Sequence, residues 1–194
     1  MTKSTLISRC GLAACLLVTL SLASCASQNA KIYTLVALGG DVRKSGRPIS
    51  MSVATVDVPK YLDRPQIVRR SSEVELGIAE FERWGEPLGN MVQRVLAEDL
   101  TRRLPPGSVV TTSSTLTGGE KSSVELSLSR FDAEADGAIA LEAQWRIRRN
   151  GQSVSSPQTA RILTRPTDAS TTATVKAMSD AIGDLATRIA VKMR

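Results

Sequence analysis

Hydrophobic and polar residues alternate along several segments of the chain, and this alternation predicts β-strands. It is clearest in 139–148, where Ile139, Leu141, Ala143, Trp145 and Ile147 share one face and polar or charged residues occupy the other. Such a pattern is typical of an antiparallel sheet with one buried and one solvated face. Further strands are predicted at 32–38, 49–58, 66–70, 73–79, 108–112, 124–128 and 158–164. Turns are predicted at Thr117-Gly118-Gly119, Asp136-Gly137 and Asn150-Gly151.

Two other segments have the spacing of amphipathic helices. The first begins at Pro87, a position where the missing N–H of proline costs little, and ends before Pro105. The second covers 171–193. The apolar stripes are Leu88, Met91, Val92, Val95 and Leu96 in the first helix and Val175, Met178, Ile182, Leu185 and Ile189 in the second. We therefore predict an α+β domain, with a mostly antiparallel sheet of about seven strands and both helices packed on one face.

The first 24 residues differ from the rest and have the layout of a secretory signal. They contain two basic residues, Lys3 and Arg9, no acidic residue, and an apolar stretch from Gly11 to about Leu22. This stretch is shorter than the roughly 20 residues that a transmembrane helix needs. The alternatives are an uncleaved anchor helix and an ordinary signal peptide.

The signal ends in Leu22-Ala23-Ser24-Cys25, which has the pattern of a bacterial lipobox. A second match, ending at Cys15, would leave too few apolar residues after Arg9. We therefore expect cleavage before Cys25 and attachment of several acyl chains to it, which gives stable membrane anchoring. Ala26, where an aspartate commonly retains lipoproteins at the inner membrane, favours the periplasmic face of the outer membrane.

These expectations divide the chain into three parts. Residues 1–24 are the signal peptide, 25–31 are the lipidated cysteine and a tether, and 32–194 are a single domain. Cleavage removes Cys10 and Cys15, so neither a disulfide nor a free thiolate is expected. It also lowers the net charge from +6 to +4, since Lys3 and Arg9 are lost. We interpret this charge as favouring solubility; attraction to anionic head groups is the alternative.

Composition excludes several kinds of chemistry. The sequence contains no histidine, which rules out Ser-His-Asp and Cys-His nucleophile pairs and histidine-ligated metals. Aromatic residues make up 3%, which argues against stacking on single-stranded nucleic acid. We interpret the carboxylates as solvated surface: Glu73, Glu75, Glu80, Glu82, Glu86, Glu98 and Asp99. We therefore expect no enzyme, cofactor, metal or nucleic-acid partner.

Two segments stand out from the predicted framework. Residues 59–68 connect two predicted strands, and residues 81–88 lead into the first helix. A structural interpretation has Phe81 and Trp84 packing over the helix start and Asp63 closing a turn. A functional interpretation has these segments forming an edge that binds a partner, because Tyr, Trp and Arg dominate interface hot spots. The residues concerned are Tyr61, Asp63, Arg64, Phe81 and Trp84.

The same residues carry a resemblance to the ABC-type transport auxiliary lipoprotein family, which includes the lipoprotein of the paraquat-inducible (Pqi) system. The resemblance rests on the lipobox followed by Ile-Tyr-Thr-Leu at 32–35, Tyr-Leu-Asp-Arg-Pro-Gln-Ile-Val at 61–68, Phe-x-Arg-Trp-x-Glu-Pro-Leu at 81–88, Arg-Val-Leu-Ala-Glu-Asp-Leu at 94–100, Leu-Glu-Ala-Gln-Trp at 141–145 and Ile-Ala at 189–190. It covers nearly the whole mature chain. One departure is Gly85, where a small residue such as alanine is expected.

The resemblance implies a role in transport. Such lipoproteins accompany ABC permeases and MCE-domain proteins that move phospholipid or other hydrophobic cargo across the Gram-negative periplasm. The implied partners are therefore an MCE-domain protein and an ABC permease, which the lipoprotein would dock at the outer membrane. Self-association is expected if it serves a ring of MCE subunits. The alternative function is a periplasmic lipid-binding carrier, which needs an apolar cavity of at least about 300 Å³ between sheet and helices.

Overall fold

The computed structural model describes residues 29–40, 45–113 and 122–193, over which the chain forms nine strands and two helices. The strands are β1 (Lys31–Tyr33), β2 (Ser50–Val53), β3 (Gln66–Arg70), β4 (Leu76–Trp84), β5 (Val109–Thr111), β6 (Ser122–Ala133), β7 (Ile139–Arg149), β8 (Gln152–Ser153) and β9 (Gln158–Thr164). The helices are α1 (Leu88–Arg103) and α2 (Thr171–Lys192). The predicted signal, Cys25 and the turn at 117–119 lie outside the described residues.

The sheet is mixed, which corrects the prediction of a mostly antiparallel one. β1 runs parallel to β4, β2 runs parallel to β5 and β6, and β3 runs parallel to the end of β6. The antiparallel pairs are β3 with β4, β6 with β7, and β7 with both β8 and β9. Alternation reveals which face a side chain occupies but not the direction of the neighbouring strand. The parallel pairs join strands that are distant in sequence, so no turn signal announces them.

Both halves of the chain meet on β6. β7 pairs with one side of β6 as a long hairpin closed at Asp136-Gly137. The other side receives β2 near its beginning and β3 at its end. A bulge in β6 between Leu128 and Arg130 shifts the alternation, so that Leu128 and Phe131 are both buried, at 3% and 0% exposed. Because of the bulge, β6 packs side chains into the same core both where it pairs with β2 and where it pairs with β3.

The two helices and the inward face of the sheet enclose one hydrophobic core. Every residue of both predicted apolar stripes is at most 6% exposed, which confirms the helical periodicity. Helix α2 begins at a capping serine, since the Ala173 amide donates to Ser170 Oγ at 3.1 Å. Helix α1 follows Pro87, which provides no side-chain cap. Pro105 lies just beyond its end and prevents its continuation.

The predicted first strand, 32–38, is wrong beyond Tyr33, because the chain there leaves the sheet and lies across the helices. Leu35 is fully buried, the Val36 amide donates to Ser179 Oγ on α2 at 3.2 Å, and Arg102 of α1 donates to the Ala37 carbonyl at 3.2 Å. The apolar run therefore reflects burial against helices. Periodicity alone does not distinguish that burial from burial in a sheet.

Two further boundaries differ from the prediction. β2 ends at Val53, although the chain still follows β6, with the Asp57 amide donating to the Leu126 carbonyl at 3.2 Å. β4 starts later than predicted and runs on to Trp84, so Phe81 and Trp84 belong to a strand rather than to a loop. By contrast, β9 and α2 match the predicted ranges closely.

Candidate functional site

The loop 59–65 crosses the side of β6 between the end of the β2 segment and the start of β3. Backbone turns give it its shape, with the Leu62 amide donating to the Pro59 carbonyl at 2.9 Å and the Asp63 amide donating to the Lys60 carbonyl at 3.3 Å. Leu62 is buried at 3% exposed, whereas Lys60, Asp63 and Arg64 are exposed. The Asp63 carboxylate lies 3.6 Å from Lys60 Nζ. The loop thus presents charged side chains to solvent from a buried leucine anchor.

Tyr61 fastens this loop to the sheet through a buried carboxylate, Asp132. The Tyr61 hydroxyl donates to Asp132 Oδ2 at 2.5 Å. Arg70 Nε and Arg130 Nε donate to Asp132 Oδ1 at 3.3 and 3.0 Å. The Asp132 side chain is 0% exposed, and these donors satisfy both of its oxygens in the absence of water contact. The register places Asp132 on the outward face of β6, so this end of the face is covered rather than wet.

The protonation state of Tyr61 follows from the same contacts. Burial raises the pKa of Tyr61 from 10.0 to about 12, and the hydrogen bond and negative charge of Asp132 act in the same direction. The phenol therefore stays protonated at physiological pH and remains a hydrogen-bond donor. Its role in the structure is to hold the loop and not to move a proton.

The two segments singled out in the sequence meet at one corner of the molecule, which we call the motif corner (residues 32–35, 59–68 and 81–88). The Trp84 amide donates to the Pro65 carbonyl at 2.7 Å, and the Gly85 amide donates to the Tyr33 carbonyl at 2.8 Å. Trp84 is 7% exposed and belongs to the core, whereas Phe81 is 44% exposed. The predicted residues thus divide by exposure: Trp84 is buried, Tyr61 is half-buried, and Asp63, Arg64 and Phe81 face solvent.

Two glutamates of the second segment brace this corner. Glu82 accepts from Arg69 of β3 at 3.1 Å and also from the hydroxyl of Thr171 at the start of α2. Glu86 accepts from Arg94 Nη2 at 2.9 Å, close to the beginning of α1. These carboxylates were predicted to be solvated surface, yet each joins a strand or connecting segment to a helix. Their ion pairs and hydrogen bonds connect the corner to β3 and to the starts of both helices.

Asp99 contradicts the prediction that the acidic residues are solvated. Its side chain is 0% exposed and lies between the helices, where its Oδ1 accepts from Arg103 Nη1 at 2.6 Å. Arg103 Nε also donates to Thr187 of α2 at 2.9 Å. Burial raises the pKa of the Asp99 carboxyl, and the hydrogen bond and charge of Arg103 oppose that rise. The helical spacing of 94–100 placed Asp99 on α1 but carried no signal that α2 would cover it.

The described residues contain no group of three or more acidic or cysteine side chains arranged to hold a metal ion. No helix in the described part of the chain is long and apolar enough to cross a membrane. Cys25, the predicted site of lipidation, lies outside the described ranges. The candidate site is the motif corner, which exposes charged and aromatic side chains.

A family model describing the ABC-type transport auxiliary lipoprotein component matches residues 33–190, which include the whole motif corner except Ile32. This protein belongs to that family. The resemblance seen in the sequence is thereby confirmed.

Curated relatives agree with the family. The intermembrane transport lipoprotein PqiC of Escherichia coli K12 is 29% identical over 105 residues, which is 54% of this chain and 54% of that protein. A protein of the same name from Shigella flexneri matches to the same extent. The chain thus matches about half the length of these relatives.

Two solved structures share the fold. A crystal structure of an uncharacterized protein aligns with a TM-score of 0.72 at 20% identity, covering 86% of this chain and all of that one. The crystal structure of protein XCC0632 from Xanthomonas campestris aligns with a TM-score of 0.67 at 16% identity, covering 84% of this chain and 94% of that one. At such identities the likeness establishes the mixed sheet with two helices and not a function.

Proposed function

We propose that this family member is anchored to the outer membrane through Cys25 and acts in the periplasm as a non-enzymatic docking component of an MCE-type lipid transport system. Its partners would be an MCE-domain protein and the ABC permease of the same system. The observation that carries the proposal is the family match over 33–190. The name of the PqiC relatives, intermembrane transport lipoprotein, points to the same kind of process.

The motif corner is the surface that best fits a docking role. It exposes Asp63, Arg64 and Phe81 on two segments that are joined by the hydrogen bond from the Trp84 amide to the Pro65 carbonyl. Binding a partner to a preformed surface loses less conformational entropy than binding to a flexible one. The hydrogen bond of Tyr61 and the burial of Trp84 then act by holding the contact residues in place. Assembly in matching symmetry with a ring of MCE subunits would multiply each such contact.

The alternative function, a lipid-binding carrier, finds less support. Most of the space between the sheet and the helices is filled by side chains such as Phe131, Met91 and Leu141, each 0% exposed. An open groove of about 340 Å³ lies at the end of α2, between that helix and the sheet, and Arg188 and Lys192 are part of its lining. A groove of about 480 Å³ lies elsewhere, along β6 and β7, and is lined by Asp57, Glu125 and Arg146 together with apolar residues. A densely packed interior counts against a lipid cavity.

The anchoring part of the proposal is tested by replacing the acylated residue. Cys25→Ala removes the thiol that would carry the lipid, so the protein is expected to leave the membrane fraction and appear in the soluble periplasm. Immunoblots of separated inner-membrane, outer-membrane and periplasmic fractions measure this. Cys15→Ala is the matched control, since it removes the cysteine of the rejected lipobox and should leave the location unchanged. Persistence of Cys25→Ala in outer-membrane fractions would refute anchoring.

The docking part is tested at Arg64, which is exposed and outside the core. Arg64→Ala should reduce co-purification with the MCE-domain protein by roughly tenfold, the effect of about 1.4 kcal/mol, with an unchanged circular dichroism spectrum. Arg188→Ala, at an exposed position of α2, is the control and should bind normally. If both variants captured the MCE-domain protein equally well, Arg64 would not be part of the interface.

A further inference from the structure

Several apolar side chains are exposed along β4 and at its two ends. Val74, in the turn between β3 and β4, is 94% exposed, and Ile32 of β1 is 64% exposed. Between them, Leu76, Ile78 and Phe81 of β4 are 37%, 41% and 44% exposed. Single exposed apolar residues are common on protein surfaces, whereas a group of them along one element marks an interaction surface. We call these five residues the apolar strip.

Strand register places the ends of this strip on the outward face of the sheet. Leu76 is opposite Arg70, whose side chain reaches the buried carboxylate on the outward face of β6. The strand period of two places Ile78 on the same face. At the other end, Ile32 is opposite the residue that precedes the buried Trp84, so Ile32 points outward as well. The strip therefore follows one side of the molecule from β1 to the β3–β4 turn.

The membrane anchor of the proposed function joins the domain at one end of this strip. Cys25 precedes Lys31, the first residue of β1, by six residues. Six residues span at most about 22 Å when fully extended. Ile32 comes next in the chain, so acylation of Cys25 keeps the strip close to the lipid surface. Tethering raises the effective concentration of two surfaces, and a contact that is weak between free partners then persists.

We propose that the apolar strip lies on the lipid bilayer, as a second and non-covalent contact with the membrane that carries the anchor. This proposal rests on the lipidation of Cys25 in the proposed function. Apolar side chains that move from water to the boundary between head groups and acyl chains bind in proportion to the area they bury. Phe81 then contacts lipid, and Arg64 in the 59–65 loop remains for the protein partner.

The charges around the strip favour an uncharged lipid surface. Among the exposed side chains of β1, β4 and the β3–β4 turn, Lys31 and Arg83 are basic, whereas Glu73, Glu75 and Glu80 are acidic. Because basic groups are not in excess here, anionic lipid adds no attraction. The contact therefore differs from an electrostatic one, in which the net positive charge of the chain would draw it to anionic head groups.

Fluorescence quenching in vesicles tests this contact with the acylated protein. A dansyl-bearing amino acid replaces Val74, and phosphatidylethanolamine–phosphatidylcholine vesicles carry a nitroxide quencher on their acyl chains. Quenching should be several-fold stronger than with the same amino acid in place of Val154, a matched control because this valine is 52% exposed and lies outside the strip. Equal quenching at the two positions would overturn the proposal, since the domain would then turn freely on its tether.

Substitutions within the strip test whether apolar burial is the cause. With the dansyl group in place of Val74, Ile32→Ser/Ile78→Ser should reduce quenching to the level of the Val154 position, with an unchanged circular dichroism spectrum. Leu163→Ser is the control, because Leu163 of β9 is 62% exposed and outside the strip; its quenching should stay high. Quenching that survives the double substitution, or that appears only when phosphatidylglycerol is added, would contradict an apolar contact.

Failure of the anchor is distinguishable from failure of the contact. Mass spectrometry of the purified chain shows directly whether Cys25 carries acyl chains. If it carries none, the anchoring proposal fails, and a maleimide-bearing phospholipid coupled to the Cys25 thiol then supplies the tether for the same quenching measurements. Strong quenching at Val74 in that protein would support the contact, and quenching equal to that at Val154 would overturn it.

Discussion

At the scale of single residues, Asp132 of β6 is the buried carboxylate that holds the 59–65 loop of the motif corner. It is fully buried, and its oxygens accept from Tyr61, Arg70 and Arg130. A hydrogen bond to a charged group contributes about 1.5–3 kcal/mol to stability. When one of several donors is removed, the remaining donors still compensate part of the cost of burying the carboxylate, so the loss is smaller than that of removing all of them. Tyr61 matters most among the donors because it is the one that belongs to the 59–65 loop.

Tyr61→Phe should therefore lower the free energy of unfolding by about 1–2 kcal/mol in urea titrations at pH 7. Tyr33→Phe is the control; the Tyr33 hydroxyl has no hydrogen-bond partner among the described residues, and a change below about 0.5 kcal/mol is expected. Folding raises the pKa of Tyr61 from 10.0 to about 12. The contribution of Tyr61 is thus complete below pH 10 and is lost as the pH rises through 12. The difference in the free energy of unfolding between Tyr61→Phe and the parent protein should therefore narrow from pH 10 to pH 12. A difference that stays constant over that range would contradict the role assigned to Tyr61.

At the scale of elements, the chain from the end of β4 into α1 contains two glycines with different surroundings. A Cβ on Gly85 would lie 3.4 Å from Ile32 Cγ2 and 3.5 Å from the Tyr33 carbonyl oxygen, which are near-normal contacts. A Cβ on Gly89, in the first turn of α1, would lie 2.9 Å from the Val56 carbonyl oxygen. The close approach of the Val56 carbonyl therefore requires glycine at position 89, whereas position 85 has room for a Cβ. The alanine expected at position 85 from the family resemblance fits the structure.

Gly85→Ala should be neutral or stabilise the fold by up to about 1 kcal/mol, since alanine reduces the entropy of the unfolded chain. Gly89→Ala should destabilise it by about 1–3 kcal/mol, because the backbone of 54–58 is held to β6 and overpacking strains it. Urea unfolding of both variants beside the parent protein provides the comparison. If Gly89→Ala gained stability from its higher helix propensity, then α1 would not be pressed against Val56 as tightly as the structure indicates.

At the scale of the whole molecule, the two halves of the chain share one sheet and one hydrophobic core. β6 pairs with β2 and β3 from the first half and with β7 from the second. Arg103 of α1 contacts Thr187 of α2 across the helix interface. One core includes both tryptophans, Trp84 in β4 and Trp145 in β7, at 7% and 4% exposed. Such interleaving favours a single cooperative unfolding transition.

The two tryptophans make this cooperativity measurable. In Trp145→Phe the only tryptophan reports on β4, and in Trp84→Phe it reports on β7. Within each variant, the urea midpoint from fluorescence should equal the midpoint from far-ultraviolet circular dichroism, although each substitution lowers the midpoint itself. A fluorescence midpoint that departs from circular dichroism in either variant would show that the halves unfold separately.

Much of the local structure follows from the sequence because it depends on neighbours in the chain. The alternation in 139–148 and 158–164, the stripe from Val175 to Ile189 and the Asp136-Gly137 turn all match the structure. The motifs at 61–68 and 81–88 indicate the family, which the match over 33–190 confirms. Each of these patterns lies within one helix, one strand or one hairpin. The element can therefore be predicted without knowing which distant part of the chain packs against it.

Only the tertiary structure decides the features that depend on distant contacts. The parallel pairing of β2 with β5 and β6 joins strands that are remote in sequence. The segment after Tyr33 leaves the sheet because two helices cover it. Asp99 and Asp132 have the local pattern of surface carboxylates, and their burial is set by α2 and by the 59–65 loop. Sequence pattern thus determined the elements and the family, whereas packing between remote segments determined strand direction, the burial of charge and the shape of the motif corner.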